Sequence, residues 1–89
     1  LEGWIDCIAT DHQPHSGSDK MQEFDQCPFG ILGLETAFAL SLETLYHNKL
    51  IPLPRLLSLF TTGPANALGL SCGKLEPGSR ADLVLLDLE

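Results

Sequence analysis

The feature that most constrains this chain is the run Ala81-Asp82-Leu83-Val84-Leu85-Leu86-Asp87, an apolar strand candidate close to the end of the sequence with no pairing partner in sight. A strand must pair its backbone N–H and C=O groups with a neighbour. The residues before it, Gly73, Lys74-Leu75-Glu76 and Pro77-Gly78-Ser79, spell turns rather than a second strand. A partner therefore has to come from elsewhere, and the C-terminal end reads as incomplete. The other end gives the same impression. Leu1-Glu2-Gly3-Trp4 has no initiating Met, no basic region and no small-residue cleavage site, so it reads as a chain cut mid-domain rather than a signal peptide. With 89 residues, the chain is too short for a whole closed eight-stranded α/β barrel, which needs about 250.

A second strand candidate, Ile5-Asp6-Cys7-Ile8-Ala9-Thr10, lies between Gly3 and Asp11. From His12 to Phe29 the sequence turns polar, with Pro14, Gly17 and Pro28 and with Met21 and Phe24 as isolated hydrophobes. Connections longer than about 12–15 residues are usually functional or disordered. Leu34, Phe38, Leu42 and Leu45 then recur at helical spacing, predicting a helix over Leu34–Tyr46 that exits at His47-Asn48-Lys49. Pro52-Leu53-Pro54 forces an extended turn. Pro54 can open a second helix carrying Leu56, Leu57, Leu59 and Phe60 and stopping near Thr62-Gly63, and a third is expected over Pro64–Leu68, ended by Gly69.

Charge and cysteine usage exclude several function classes. The net charge of -7, with five scattered basic residues, lacks the basic patch that phosphate-backbone binding requires, so no nucleic-acid partner is expected. No apolar stretch is long enough to span a bilayer, so no membrane association is expected. Cys7, Cys27 and Cys72 are odd in number and lack CxxC spacing, which fits reduced thiols in a cytoplasmic protein. The segment Gly69–Leu75 fails as a phosphate loop, being one residue short between glycines and having Leu75 where Ser or Thr should stand.

The chemistry-bearing stretch is Thr10-Asp11-His12-Gln13-Pro14-His15. An acid at the carboxyl end of a strand can ligate a divalent metal and accept a proton from water that the metal acidifies. Asp11 alone is one ligand, however, and zinc takes three or four. Pro14 disfavours a helical two-histidine clamp of His12 and His15. His15 is the better candidate to meet an anionic substrate group. The same residues also suit a turn cap followed by solvated loop histidines, and spacing alone leaves both readings open. His47 suits a helix C-terminus, and Cys27 has no recognisable base partner.

Two motifs carry a resemblance. Ala9-Thr10-Asp11-His12-Gln13-Pro14-His15, followed by Cys27-Pro28-Phe29-Gly30-Ile31-Leu32-Gly33-Leu34-Glu35-Thr36-Ala37, resembles the dihydroorotase family of the amidohydrolase superfamily, with its T-D-H-A-P-H and P-x-G-I-x-G-L-E-T patterns in order and spacing. Thr62-Gly63-Pro64-Ala65 and Gly73–Asp87 resemble segments shared more widely across amidohydrolases. The chain departs from the pattern at Gln13 and Cys27, where Ala is common, at Gly63 in place of Asn, and at Asp19-Lys20 where Glu-Lys is usual.

The resemblance implies a zinc-dependent hydrolase, with one or two Zn2+ ions, that interconverts dihydroorotate and N-carbamoyl-L-aspartate in pyrimidine synthesis. Asp11 aligns with the metal-binding aspartate that is also general base and acid. His15 aligns with a substrate-binding histidine, and Phe29 and Gly30 align with a loop whose backbone holds the substrate. The family's H-x-H pair, bridging lysine and other zinc histidines are not among these residues, so this stretch alone is expected to be inactive. The implied fold is α/β: residues 1–64 as the last strand, substrate loop and helices of a (β/α)8 barrel, and residues 65–89 as the start of a small β domain. Its helices would expose apolar faces and so aggregate or stay disordered in isolation. Implied partners are the small-molecule substrate and either further copies of the chain or aspartate carbamoyltransferase. Two other readings stay open: a noncatalytic structural partner of that carbamoyltransferase, and another cyclic amidohydrolase such as dihydropyrimidinase or allantoinase.

Overall fold

A computed structural model describes residues 2–88. In chain order, the regular elements are α1 (Gly17–Lys20), α2 (Ala37–Ser41) continuing into a π-helical segment (Leu42–His47), α3 (Leu53–Phe60) and α4 (Thr62–Leu68). No strand occurs among the described residues. The expected α/β class, with a barrel strand at one end and a β domain at the other, is therefore corrected to an all-helical arrangement joined by extended and turn segments.

The reason lies in pairing. Ile5–Thr10 forms no strand and runs against a helix: Arg55 Nη2 donates to the Ile5 carbonyl at 2.6 Å and the Ile8 N–H to the Leu59 carbonyl at 3.0 Å. Ala81–Asp87 forms no regular element and lies exposed, with Leu85 99% accessible. Apolar, β-branched sequence favours extended backbone, but a sheet also needs a neighbouring strand to complete its hydrogen-bond ladder.

The helices follow their sequence signals more closely. Pro52 is extended and Pro54 sits in the first turn of α3, where its missing N–H costs no hydrogen bond. Pro64 likewise falls in the first turn of α4, which starts two residues earlier than expected. Gly69 ends α4 in the left-handed conformation (φ 67°), with the Leu70 N–H returning to the Ala65 carbonyl at 2.8 Å. The helix predicted over Leu34–Tyr46 begins at Ala37 and winds more loosely from Leu42. There the Ser41 and Thr44 hydroxyls donate to the Ala37 and Leu40 carbonyls at 2.8 and 2.6 Å. Such back-bonding competes with the main-chain pattern and favours local distortion.

The core is small. Leu56, Leu59 and Ala65 are its buried hydrophobic residues among those described, and Phe60 meets Phe38 edge to face at 5.3 Å. Gly63 lets α4 close on the N-terminal segment, since a Cβ there would collide with the Asp6 carbonyl. The Cα radius of gyration is 16.4 Å, against about 12 Å for a compact domain of this length. Large apolar side chains such as Trp4, Phe24 and Leu85 stand in solvent, so helix faces and irregular segments alike lack cover.

Candidate functional site

The polar stretch after Thr10 is an ordered loop, and side chains bonded to backbone groups hold it. It begins at Asp11, whose backbone is left-handed (φ 47°). Asp and Asn tolerate that region better than most residues. The turn exposes the Asp11 side chain, and its Oδ2 accepts a hydrogen bond from Gln13 Nε2 at 2.9 Å.

The loop closes on itself a residue later. His12 Nδ1 accepts the N–H groups of Gly33 and Leu34 at 3.0 and 3.2 Å. Backbone N–H groups can only donate, so a neutral His12 carries its ring proton on Nε2. The Gln13 N–H donates to the Ile31 carbonyl at 3.0 Å. Together these bonds fasten the Asp11 turn to the segment leading into α2.

Farther along, the loop is pinned a second time. Ser16 caps α1 through reciprocal bonds with Asp19, a capping box in which each residue satisfies a free backbone N–H of the other. Those bonds, the Ser16 hydroxyl foremost and its backbone N–H next, lower the Asp19 pKa below its ordinary 3.8. This single turn of helix delivers Lys20, whose Nζ donates to the Pro28 and Gly30 carbonyls at 2.7 and 2.6 Å. The Phe29 carbonyl lies 3.0 Å from His15 Nε2, which must be the donor because a carbonyl only accepts. The Cys27 thiol points at the Lys20 and Pro28 carbonyls at 3.6 and 3.7 Å, a local contact with no base beside it.

The structure thus brings His15 and Phe29 into direct contact. Gly30 sits against Gln13, whose side chain occupies the space a Cβ would need, and Gly30 has a positive φ of 99°. Gln13 in turn bonds Asp11, so one side chain connects the two halves of the site. His47 lies outside it, packed on Tyr46 with ring centres 5.2 Å apart. Two apolar grooves lie elsewhere, against Leu45, Pro52 and Leu59 and against Phe38, Phe60 and Leu83.

No group of three or more His, Cys, Asp or Glu side chains able to hold a metal ion occurs among the described residues. The Asp11 carboxylate is exposed, and Gln13 bonds only one of its oxygens, so the other is open to a single-ligand role. No helix among the described residues is long and apolar enough to cross a membrane.

Sequence reasoning missed three members of this arrangement. His12, which the sequence offers as a metal ligand or solvated residue, latches the loop. Gln13 and Lys20 were noted only as departures or neighbours of departures from a pattern. For Lys20 a signal existed: Ser16-x-x-Asp19 is the spacing of a helix N-terminus. For Gln13 none did, because beyond its local bond to Asp11 its contacts, at Gly30 and Ile31, come from far along the chain.

Known proteins resemble this chain along its whole length. The family model described as "Amidohydrolase family" matches residues 1–89. The dihydroorotase of Solibacter usitatus (strain Ellin6076) is 55% identical over 85 residues, covering 96% of this chain and 20% of that protein. The dihydroorotase of Geobacillus sp. (strain WCH70) is 47% identical over 89 residues, covering 100% of this chain and 21% of that protein. The dihydroorotase of Bacillus cytotoxicus is 46% identical, with the same two coverages. The chain spans about a fifth of the length of these relatives.

Proposed function

The chain belongs to the amidohydrolase family, and on that premise we propose that it contributes part of the active site of a zinc-dependent cyclic-amide hydrolase. The substrate pair is dihydroorotate and N-carbamoyl-L-aspartate, converted reversibly in pyrimidine synthesis. The single observation that carries this reading is the loop itself: Asp11, His15, Phe29 and Gly30 belong to one hydrogen-bonded unit through Gln13 and Lys20. The identity to three dihydroorotases supports the choice of substrate.

In this proposal Asp11 is the chain's one zinc ligand, and the remaining ligands come from residues outside this chain. Zinc, when bound, lowers the pKa of water and polarises a carbonyl oxygen. Asp11 acts as general base and acid: in ring opening it accepts the proton of the attacking water and passes it to the ring nitrogen as the amide C–N bond breaks. His15 faces the carboxylate of the substrate. The backbone at Phe29 and Gly30 meets the ring, while the absence of a Cβ at Gly30 makes room for the Gln13 side chain that ties this backbone to Asp11. Residues 1–64 supply all of these groups and residues 65–89 supply none, which is the division of labour we assign to the two stretches.

Replacing Asp11 by Asn in the full-length protein that carries this sequence tests the reading. Asn tolerates the left-handed turn at least as well as Asp, and its side-chain oxygen still accepts from Gln13. The substitution therefore removes the carboxylate and little else. Dihydroorotate turnover should fall about a thousandfold or more, while the melting temperature stays within about 2 °C, as for surface changes generally. Turnover near the wild-type rate sinks the assignment. A zinc-free protein that copurifies with aspartate carbamoyltransferase would favour a noncatalytic role instead.

A further inference from the structure

We infer that Lys20 is a positioning residue for the substrate, acting through the backbone of Phe29, Gly30 and Ile31; the inference rests on the hydrolase reading above. Its ammonium gathers the carbonyls of Pro28 and Gly30 at 2.7 and 2.6 Å. In a trans peptide the N–H points opposite to the C=O of the same unit. Drawing those two carbonyls onto one cation therefore turns the Phe29 and Ile31 N–H groups away from it. His15 donates to the carbonyl of the intervening unit, at Phe29, which turns the Gly30 N–H away from the imidazole.

Among the described residues, none of these three N–H groups donates to another backbone or side-chain acceptor. The Phe29 and Ile31 N–H groups are thus unspent donors on the side away from the ammonium, and they suit a carbonyl or carboxylate oxygen of a small ring. Lys20 is held from its own side as well. The Ser16–Asp19 capping box starts the turn that carries it, and the Cys27 thiol meets the Lys20 carbonyl. Without the ammonium, the Pro28 and Gly30 carbonyls lose their shared anchor and the peptide units are free to rotate.

The test compares wild type, Lys20→Met and Lys20→Arg in the full-length protein, reading steady-state kinetics with dihydroorotate and amide hydrogen exchange at Gln13, whose N–H is held by the Ile31 carbonyl. Loss of ground-state and transition-state binding together should raise KM about tenfold with kcat changed less than about threefold, because Lys20 touches no reacting atom. Gln13 exchange should quicken, and Lys20→Arg should restore most of both. Wild-type KM in Lys20→Met overturns the inference and leaves the hydrolase reading standing. A fall in kcat at constant KM also overturns it. If the wild-type protein turns over no cyclic amide, the hydrolase reading has failed and the inference about substrate falls with it; exchange at Gln13 then reports only whether Lys20 orders the loop.

Discussion

Around α3 and α4, Leu56 and Leu59 lose almost all contact with water and Phe60 packs on Phe38, whereas the loop from His12 to Gly33 buries no side chain fully and is held by at least seven bonds between side chains and backbone. Apolar packing is non-directional and tolerates small displacements of the partners. Hydrogen bonds fix both distance and direction. A helix pair that only has to hold position can rely on the first. A loop that must aim particular carbonyls and N–H groups needs the second. The cost is that each loop bond stands close to water, where its net contribution is modest, about 0.5–1.5 kcal/mol for a neutral pair.

That comparison makes opposite predictions for its two halves. The larger effect belongs to the helices: Leu56→Ala removes a side chain that is 0% exposed and should cost about 2–5 kcal/mol in denaturant unfolding. KM for the substrate should stay unchanged below the melting transition. A Leu56 variant with native stability but altered KM would break the comparison, because packing would then be setting the loop. A smaller effect belongs to the loop's acid side. Ser16 holds the Asp19 pKa below 3.8, so the capping box stabilises the loop above that value and loses its contribution as pH falls through the lowered one. Amide exchange at Asp19, whose N–H is bonded to Ser16 Oγ, should therefore speed up only below about pH 4 after correction for intrinsic rates. Loosening that sets in near neutrality would assign the ordering to a different group.

How much of this was legible beforehand follows from the range of each interaction. Helix termini were, because Pro54, Pro64 and Gly69 act on their own backbone within a turn. The candidate residues Asp11, His15, Phe29 and Gly30 rest on motif resemblance, which carries no contacts; that His15 bonds the Phe29 carbonyl is visible only in the structure. The architecture departs from the expected α/β class because strand propensity in Ile5–Thr10 and Ala81–Asp87 concerns backbone shape, while a sheet needs partners. Ile8 and Arg55 show the outcome: polar groups of the first segment are met by a helix carbonyl and a guanidinium. Gln13 and His12 could not be read at all, since their contacts at Gly30, Gly33 and Leu34 depend on the closure of the whole loop.

The central claim, that this loop serves a hydrolase acting on dihydroorotate, is tested most directly by initial rates of the full-length, zinc-loaded protein on dihydroorotate, hydantoin and allantoin in parallel. The account predicts turnover of dihydroorotate that exceeds the other two by at least about a hundredfold, because a site built to hydrogen-bond a carboxylate rejects rings that lack it. Equal or greater turnover of hydantoin or allantoin, or no turnover of any of the three, would contradict it.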